Sequence, residues 1–144
     1  MCFQNPDHQL FCQTLQDEIA FGPRNLGLSA DEIRRRVDEV IELVGLRGLE
    51  KEHPSFLGRG QRRRVAVGSI VAMKPAVIVV DEPKTGQDWK QSKEMMALLD
   101  SLNSQGCTIV IITNNMRIVA EHTRRTIVMH QGRIILDDTT RNVF

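Results

Sequence analysis

Aromatic side chains make up only 4% of these 144 residues, and that scarcity removes the stacking platform on which single-stranded nucleic-acid binders lay their bases. An excess of one charge sign is also missing. Lys and Arg number 19 against 18 Asp and Glu, a formal net charge of +1, so no global field recruits nucleic acid or an anionic membrane. The basic residues cluster locally instead, at Arg34-Arg35-Arg36, Arg62-Arg63-Arg64 and Arg124-Arg125; a solvated helix face or loop is the bland reading of each and the preferred one for the first and third. Cys2, Cys12 and Cys107 share no metal-ligand spacing, which argues against a disulfide framework or a zinc site and for a reducing cytosol. No apolar run approaches the roughly 20 residues that span a bilayer, and the first residues carry no signal-peptide pattern. Membrane association, if any, is expected to come through a partner. The length suits one domain, or part of one.

Two stretches carry the chemistry. Ala76-Val77-Ile78-Val79-Val80 is a run of small and β-branched apolar residues, read as a strand buried on both faces, and it ends abruptly in Asp81-Glu82-Pro83. At the carboxyl end of such a strand, charge can meet a ligand. The second stretch, Leu57-Gly58-Arg59-Gly60-Gln61, places two glycines and a glutamine before a basic helix, where free N–H groups and the helix dipole favour an anion. Together they point to phosphate and a metal ion. Taken alone, an Asp-Glu pair after an apolar strand is also read as a strand terminus with a helix cap, and Arg62 to Arg64 as structural and solvated.

Around these stretches the pattern alternates. Asn5-Pro6-Asp7 is turn chemistry after a strand-like start, which leaves Gln4 where strand gives way to loop. Residues 14–21 read as a short helix stopped by Gly22-Pro23. Ser29 with Glu32 forms a capping box, and Ile33, Val37, Val40, Ile41 and Val44 keep helical spacing as far as Gly45. Gly60 opens a helix with Val65, Ala66, Ile70 and Val71 facing a core. Asp88 is placed to N-cap a helix in which Met95, Met96, Leu98, Leu99 and Leu102 fill the interior. Residues 107–112 form a second fully buried strand, followed by Thr113-Asn114-Asn115 and a short helix. Strand, helix, strand, helix implies a parallel sheet. Gln131-Gly132, between residues 126–130 and 133–136, reads as a hairpin turn, and residues 139–144 begin a terminal helix.

In this order and spacing the motifs resemble the ATP-binding cassette ATPases, and among them the ATPase subunits of energy-coupling-factor transporters for vitamins and metal ions. Gln4 stands at the Q-loop glutamine, within Gln4-Asn5-Pro6-Asp7-His8-Gln9-Leu10-Phe11. Leu57 to Gln61 is similar to the signature L-S-G-G-Q, residues 77–82 to Walker B, and Asp88 to the D-loop aspartate. Asn114 falls at the switch histidine. The resemblance implies ATP and Mg²⁺ as cofactors, with Asp81 and Gln4 toward the metal and Glu82, Gln4 and Asn114 in catalysis. Gly58, Arg59, Gly60, Gln61 and Asp88 would bind nucleotide held by the opposite subunit of a dimer. It implies two partners, a second ATPase subunit and a transmembrane coupling subunit, hence a place at the cytoplasmic face of a membrane, and no nucleic acid.

The fold expected is α/β: a P-loop NTPase-like cassette fragment with a parallel core sheet, a helical signature subdomain at about residues 7–72, a core part at about 76–144, and a C-terminal β-hairpin. The sequence departs from the family at several points. No G-x-x-x-x-G-K-[ST] occurs in the 144 residues, and the family carries that phosphate-cradling loop upstream of the Q-loop, so the resemblance implies a C-terminal portion that is inactive by itself. Gly58 replaces a serine, Arg59 a glycine, Asn114 a histidine, and Lys84 a small hydroxyl residue. A non-catalytic partner or gene remnant, lending a signature or docking face to an intact ATPase, is the alternative. An open apolar edge beside Ile78 and Val80 is a further expectation.

Overall fold

The computed structural model describes residues 6–83 and 89–144, which form two compact units, 1–112 and 113–144. The partition expected near residues 72–76 falls inside the first unit. Gln4, Asp88 and Lys84 lie outside the described residues.

The first unit begins with three packed helices. Helix α1, Leu15–Asn25, starts where the Thr14 hydroxyl accepts the Asp17 N–H at 3.2 Å. It does not stop at Gly22-Pro23. Pro23 lies in the last turn, so only one ladder bond is forfeited, and Gly22 is there for space: a Cβ on it would stand 2.7 Å from the Met73 side chain. Helix α2, Ala30–Leu43, is capped by Ser29 as its sequence predicts. Helix α3, Arg59–Val71, buries Val65, Ala66, Val67 and Ile70. At Gly68 the three helices meet, since an added Cβ would come within 3.0 Å of Val40 Cγ1 and 3.7 Å of Ile19 Cδ1.

Strand β1, Val77–Asp81, then pairs in parallel with β2, Thr108–Ile112, in the register Val77 to Thr108 through Asp81 to Ile112. Helix α4, Trp89–Ser104, connects them and buries Met95, Met96, Leu98, Leu99 and Leu102. Neither strand is buried on both faces. Ile78 and Val80 are 1% and 0% exposed, whereas Val77, Val110 and Ile112 are 52%, 43% and 50% exposed. Side chains alternate along a strand and registered neighbours share a face, so Val77, Val79, Val110 and Ile112 share one face that the described residues leave half-buried at Val79 and exposed at the other three. Ile78 and Val80 therefore sit in the core, while among the described residues β1 pairs with β2 alone, so the strand edge beside them has no partner strand and the opposite face is open as well.

In the second unit, α5, Met116–His122, precedes a hairpin of β3, Arg125–His130, and β4, Arg133–Thr139, with α6, Thr140–Val143, after it. Gln131 and Gly132 have φ of 49° and 74°, the paired positive values of the tight hairpin turn. A bulge at Val128/Met129 interrupts the antiparallel register. Arg125 grips Asp137 through two bonds of 2.8 and 2.7 Å, and the hydroxyls of Thr123 and Thr126 each approach that of Thr140 at 2.8 Å.

Two outcomes follow from this architecture. An apolar sheet face of this kind favours association, so the 144-residue polypeptide is expected to self-associate, and Val110→Thr with Ile112→Thr to shift it toward monomer in sedimentation. A monodisperse wild-type monomer with a sharp melt contradicts this. The second outcome concerns Glu32, whose carboxyl is held down to about 2 by hydrogen bonds from Arg36 and Arg35. A depressed folded value gives stability that is present above the usual value of 4.5 and lost as pH falls through about 2. The melting difference between wild type and Glu32→Gln should accordingly be full at about pH 5 and close toward pH 2.

Candidate functional site

The carboxylates predicted from sequence stand at the carboxyl end of β1, and both are half-exposed. The ladder continues one residue past the strand, with Glu82 N–H donated to the Ile112 carbonyl at 2.9 Å. Glu82 then turns into the left-handed region, φ 46°, which a residue with a Cβ seldom enters. Two carbonyls in this turn are held from another element. Arg63, 2% exposed, donates from Nη2 to the Asp81 oxygen at 2.7 Å and to the Glu82 oxygen at 3.0 Å.

Arg63 belongs to the helix that the signature stretch opens. Leu57 is buried, Gly58 takes the N-cap position in extended conformation, and the Gln61 side-chain oxygen accepts the Gly58 N–H at 2.9 Å. The first helical bond runs from Arg62 N–H to Gly58 O, so the N–H groups of Arg59, Gly60 and Gln61 precede the ladder and face outward from the helix start. Arg59 is exposed and Gly60 buried. A Cβ on Gly60 would overlap the side-chain amide of Gln91 in α4, which would have to move aside.

The arginine run is not a solvated face. Arg63 is three and four residues before Ala66 and Val67, and helical spacing carries it to the buried side. Arg62 donates to the Leu57 carbonyl at 2.7 Å and pairs with Asp7 at 2.8 Å. Arg64 reaches the Val44 carbonyl at 3.4 Å and Glu94 at 3.7 Å. Gln9 ties its segment to α3 by donating to Ala66 O at 2.8 Å. Arg63 is the functional candidate missed in the sequence, although its phase with Val67 and Ile70 was a signal that could have found it.

Asn114 lies in the second unit and is exposed, immediately before the α5 cap at Asn115, whose side chain accepts the Arg117 and Ile118 N–H groups. A cleft of about 580 Å³, lined by Arg36, Val40, Lys74, Ile78, Leu102 and Cys107 among others, opens near the amino end of β1. In open α/β sheets ligands sit beyond the carboxyl ends of the strands, so this cleft is set aside as the site. Cys12 is also outside it, its thiol pushed up to about 11 by burial and the neighbouring Glu18 carboxylate.

Asp81 and Glu82 offer oxygen donors of the kind that hard cations take. Among the described residues no group of three His, Cys, Asp or Glu gathers into a cage. Mg²⁺ is commonly held by one or two carboxylates together with phosphate oxygens and water, and Asp81 at a strand end suits that mode. Again among the described residues, no helix is long and apolar enough to cross a membrane.

Comparison with known proteins agrees with this geometry. A family model described as ABC transporter matches residues 1–85. A protein of Caldanaerobacter subterraneus that carries the name of an ABC transporter ATP-binding protein is 49% identical over 142 residues, covering 99% of this chain and 25% of that one. The energy-coupling factor transporter ATP-binding protein EcfA of Methanocaldococcus jannaschii is 42% identical, over 100% of this chain and 52% of its own. Among solved structures, cbiO1 from Clostridium perfringens, part of the ABC transporter complex cbiONQ, superposes with a TM-score of 0.88 at 36% identity, covering 99% of this chain and 57% of that one. The chain thus spans about half the length, or less, of the relatives it matches. With a parallel strand ending in Asp81-Glu82, a glycine-capped basic helix beside it and a family model matched over residues 1–85, this chain belongs to the ABC transporter family.

Proposed function

We propose that these residues supply the signature and Walker B parts of an ATPase that drives an energy-coupling-factor transporter. The observation that carries the reading is the bond from the signature helix to the Walker B turn, Arg63 to the carbonyls of Asp81 and Glu82, because it sets the two motif elements in one rigid frame. Bound ATP with Mg²⁺ supplies the phosphoryl group and the charge that offsets its transfer. Asp81 and Gln4 hold the metal side, and Glu82 orients or accepts a proton from water. Gly58, Arg59, Gly60 and Gln61, with Asp88, present N–H groups and side-chain donors to nucleotide on a second ATPase subunit. Asn114 stands in for the switch histidine, offering an amide donor but no imidazole to carry a proton. A transmembrane coupling subunit is the second partner, which places the chain at the cytoplasmic face of a membrane. The partition into a signature part at residues 7–72 and a core part at 76–144 belongs to this reading.

The 144 residues contain no G-x-x-x-x-G-K-[ST], so the isolated polypeptide should release no phosphate above background, positioning being most of phosphoryl-transfer catalysis. Grafted in place of its counterpart in the Methanocaldococcus jannaschii relative, the same stretch should support turnover, and Glu82→Gln should lower it by on the order of 100-fold or more. Phosphate release from the isolated chain that vanishes in Glu82→Gln, or a graft indifferent to Glu82→Gln, overturns the reading. In the same graft, Asn114→His should raise turnover by on the order of 10²-fold, the worth of one preorganised donor. A graft whose rate is unchanged by that substitution would make the asparagine a working substitute.

A further inference from the structure

The geometry points to Arg63 as a positioning residue for Glu82: from the buried face of the signature helix its guanidinium holds the Asp81 and Glu82 carbonyls, keeping Glu82 in its left-handed turn and so fixing where its carboxylate stands. The inference rests on the reading of Glu82 proposed above. Three observations on different atoms converge on it. Arg63 is 2% exposed, so its charge is spent inside the protein rather than in solvent. Its Nη2 spans the carbonyls on both sides of residue 82's α-carbon and amide, at 2.7 and 3.0 Å. Glu82 itself has φ 46°, and its N–H is tied on the other side to Ile112 O at 2.9 Å.

A non-glycine residue persists in this conformation only where its surroundings over-determine it. The Ile112 bond and the Arg63 bond to the Asp81 oxygen hold the peptide before the α-carbon; the Arg63 bond to the Glu82 oxygen holds the carbonyl after it. Without the second restraint, φ and ψ of residue 82 can relax toward the extended region, and the side chain swings with them. Arg63 sits three residues after Gly60 in the same helix, so the frame that presents the signature N–H groups is also the frame that aims the carboxylate. Arg rather than Lys suits the position, because the two coplanar N–H bonds of Nη2 hold two oxygens at set angles where an ammonium acts as a rotating point charge.

Amide hydrogen exchange on the 144-residue chain tests this without nucleotide. In wild type the Glu82 amide should be protected, and Arg63→Met should speed its exchange by on the order of 10-fold or more relative to the Ala72 amide, which is bonded to Gly68 O at 2.9 Å in α3. Glycine enters the left-handed region freely, so adding Glu82→Gly to Arg63→Met should restore protection at residue 82, an outcome that simple core filling does not produce. Arg63→Lys should fall between wild type and Arg63→Met. In the graft, Arg63→Met should lower kcat by on the order of 10-fold while KM for ATP stays within about 2-fold. Equal acceleration at Ala72 and residue 82, failure of glycine to restore protection, or a raised KM with kcat retained each overturns the inference. An active graft with Glu82 dispensable would instead sink the functional reading and leave the exchange result standing.

Discussion

A buried guanidinium constrains this structure more than any other single group. Moving a cation out of water costs several kcal/mol even after relaxation, on the order of the whole margin by which a domain is stable. At 2% exposure Arg63 needs acceptors inside the protein, and two of them are the carbonyl oxygens at the end of β1 that take its Nη2 protons. That requirement works in both directions. The helix α3 cannot slide along the strand without stranding the charge, and the turn at Glu82 cannot open without losing its donor. The position of α3 is set in turn by Gly68, where Val40 and Ile19 pack against bare backbone, and by Gly22, which admits Met73. Close packing of the helices and the geometry of the carboxylate turn are therefore one constraint seen at two ends.

What could be read from the sequence was whatever depends on local chemistry. The Ser29 cap and the hairpin turn at Gln131-Gly132 each need only neighbours in the chain, and the structure has them where their residues imply. The strand register moved by one residue, from 76–80 to 77–81, because a ladder is defined by its partner and the partner begins at Thr108. Gly22-Pro23 looked like a stop signal since composition cannot tell a glycine that breaks a helix from one that lets a methionine approach. The arginine run looked solvated because three like charges in a row usually are. Its central member is inside on account of a carbonyl pair eighteen residues away in the chain, and |i−j| of 18 and 19 is beyond any window of periodicity.

The misreading of the strands has the same origin. A run such as residues 107–112, apolar at every position after its first two, is written for burial on both faces, yet Val110 and Ile112 are 43% and 50% exposed. Sequence reports what a face is made of, and not what lies against it. The uncovered face is also the one from which Asp81 projects, since Asp81 registers with Ile112 and alternates with Val80. The apolar surface and the metal-side carboxylate of the proposed site therefore share one side of the sheet.

The departures from the family signature can be weighed by what the backbone needs at each. Gly58 has φ −61° and ψ 155°, values open to any residue, and a Cβ there would make only an ordinary 3.5 Å contact with Gln61 Oε1. The glycine is thus not required by the fold, and the hydroxyl it lacks is missing from the helix cap, where Gly58 makes no side-chain bond, as well as from any ligand. Arg59 is the reverse case. A cation in the first turn opposes the helix dipole at a cost of about 0.3–1 kcal/mol, so helix stability does not favour it, but an anion brought to the same turn would meet the dipole and the guanidinium together. Gly60 differs from both, because a side chain there would displace Gln91. At the proposed signature, the two positions that differ from the family pattern, Gly58 and Arg59, stand where the fold is indifferent or mildly penalised.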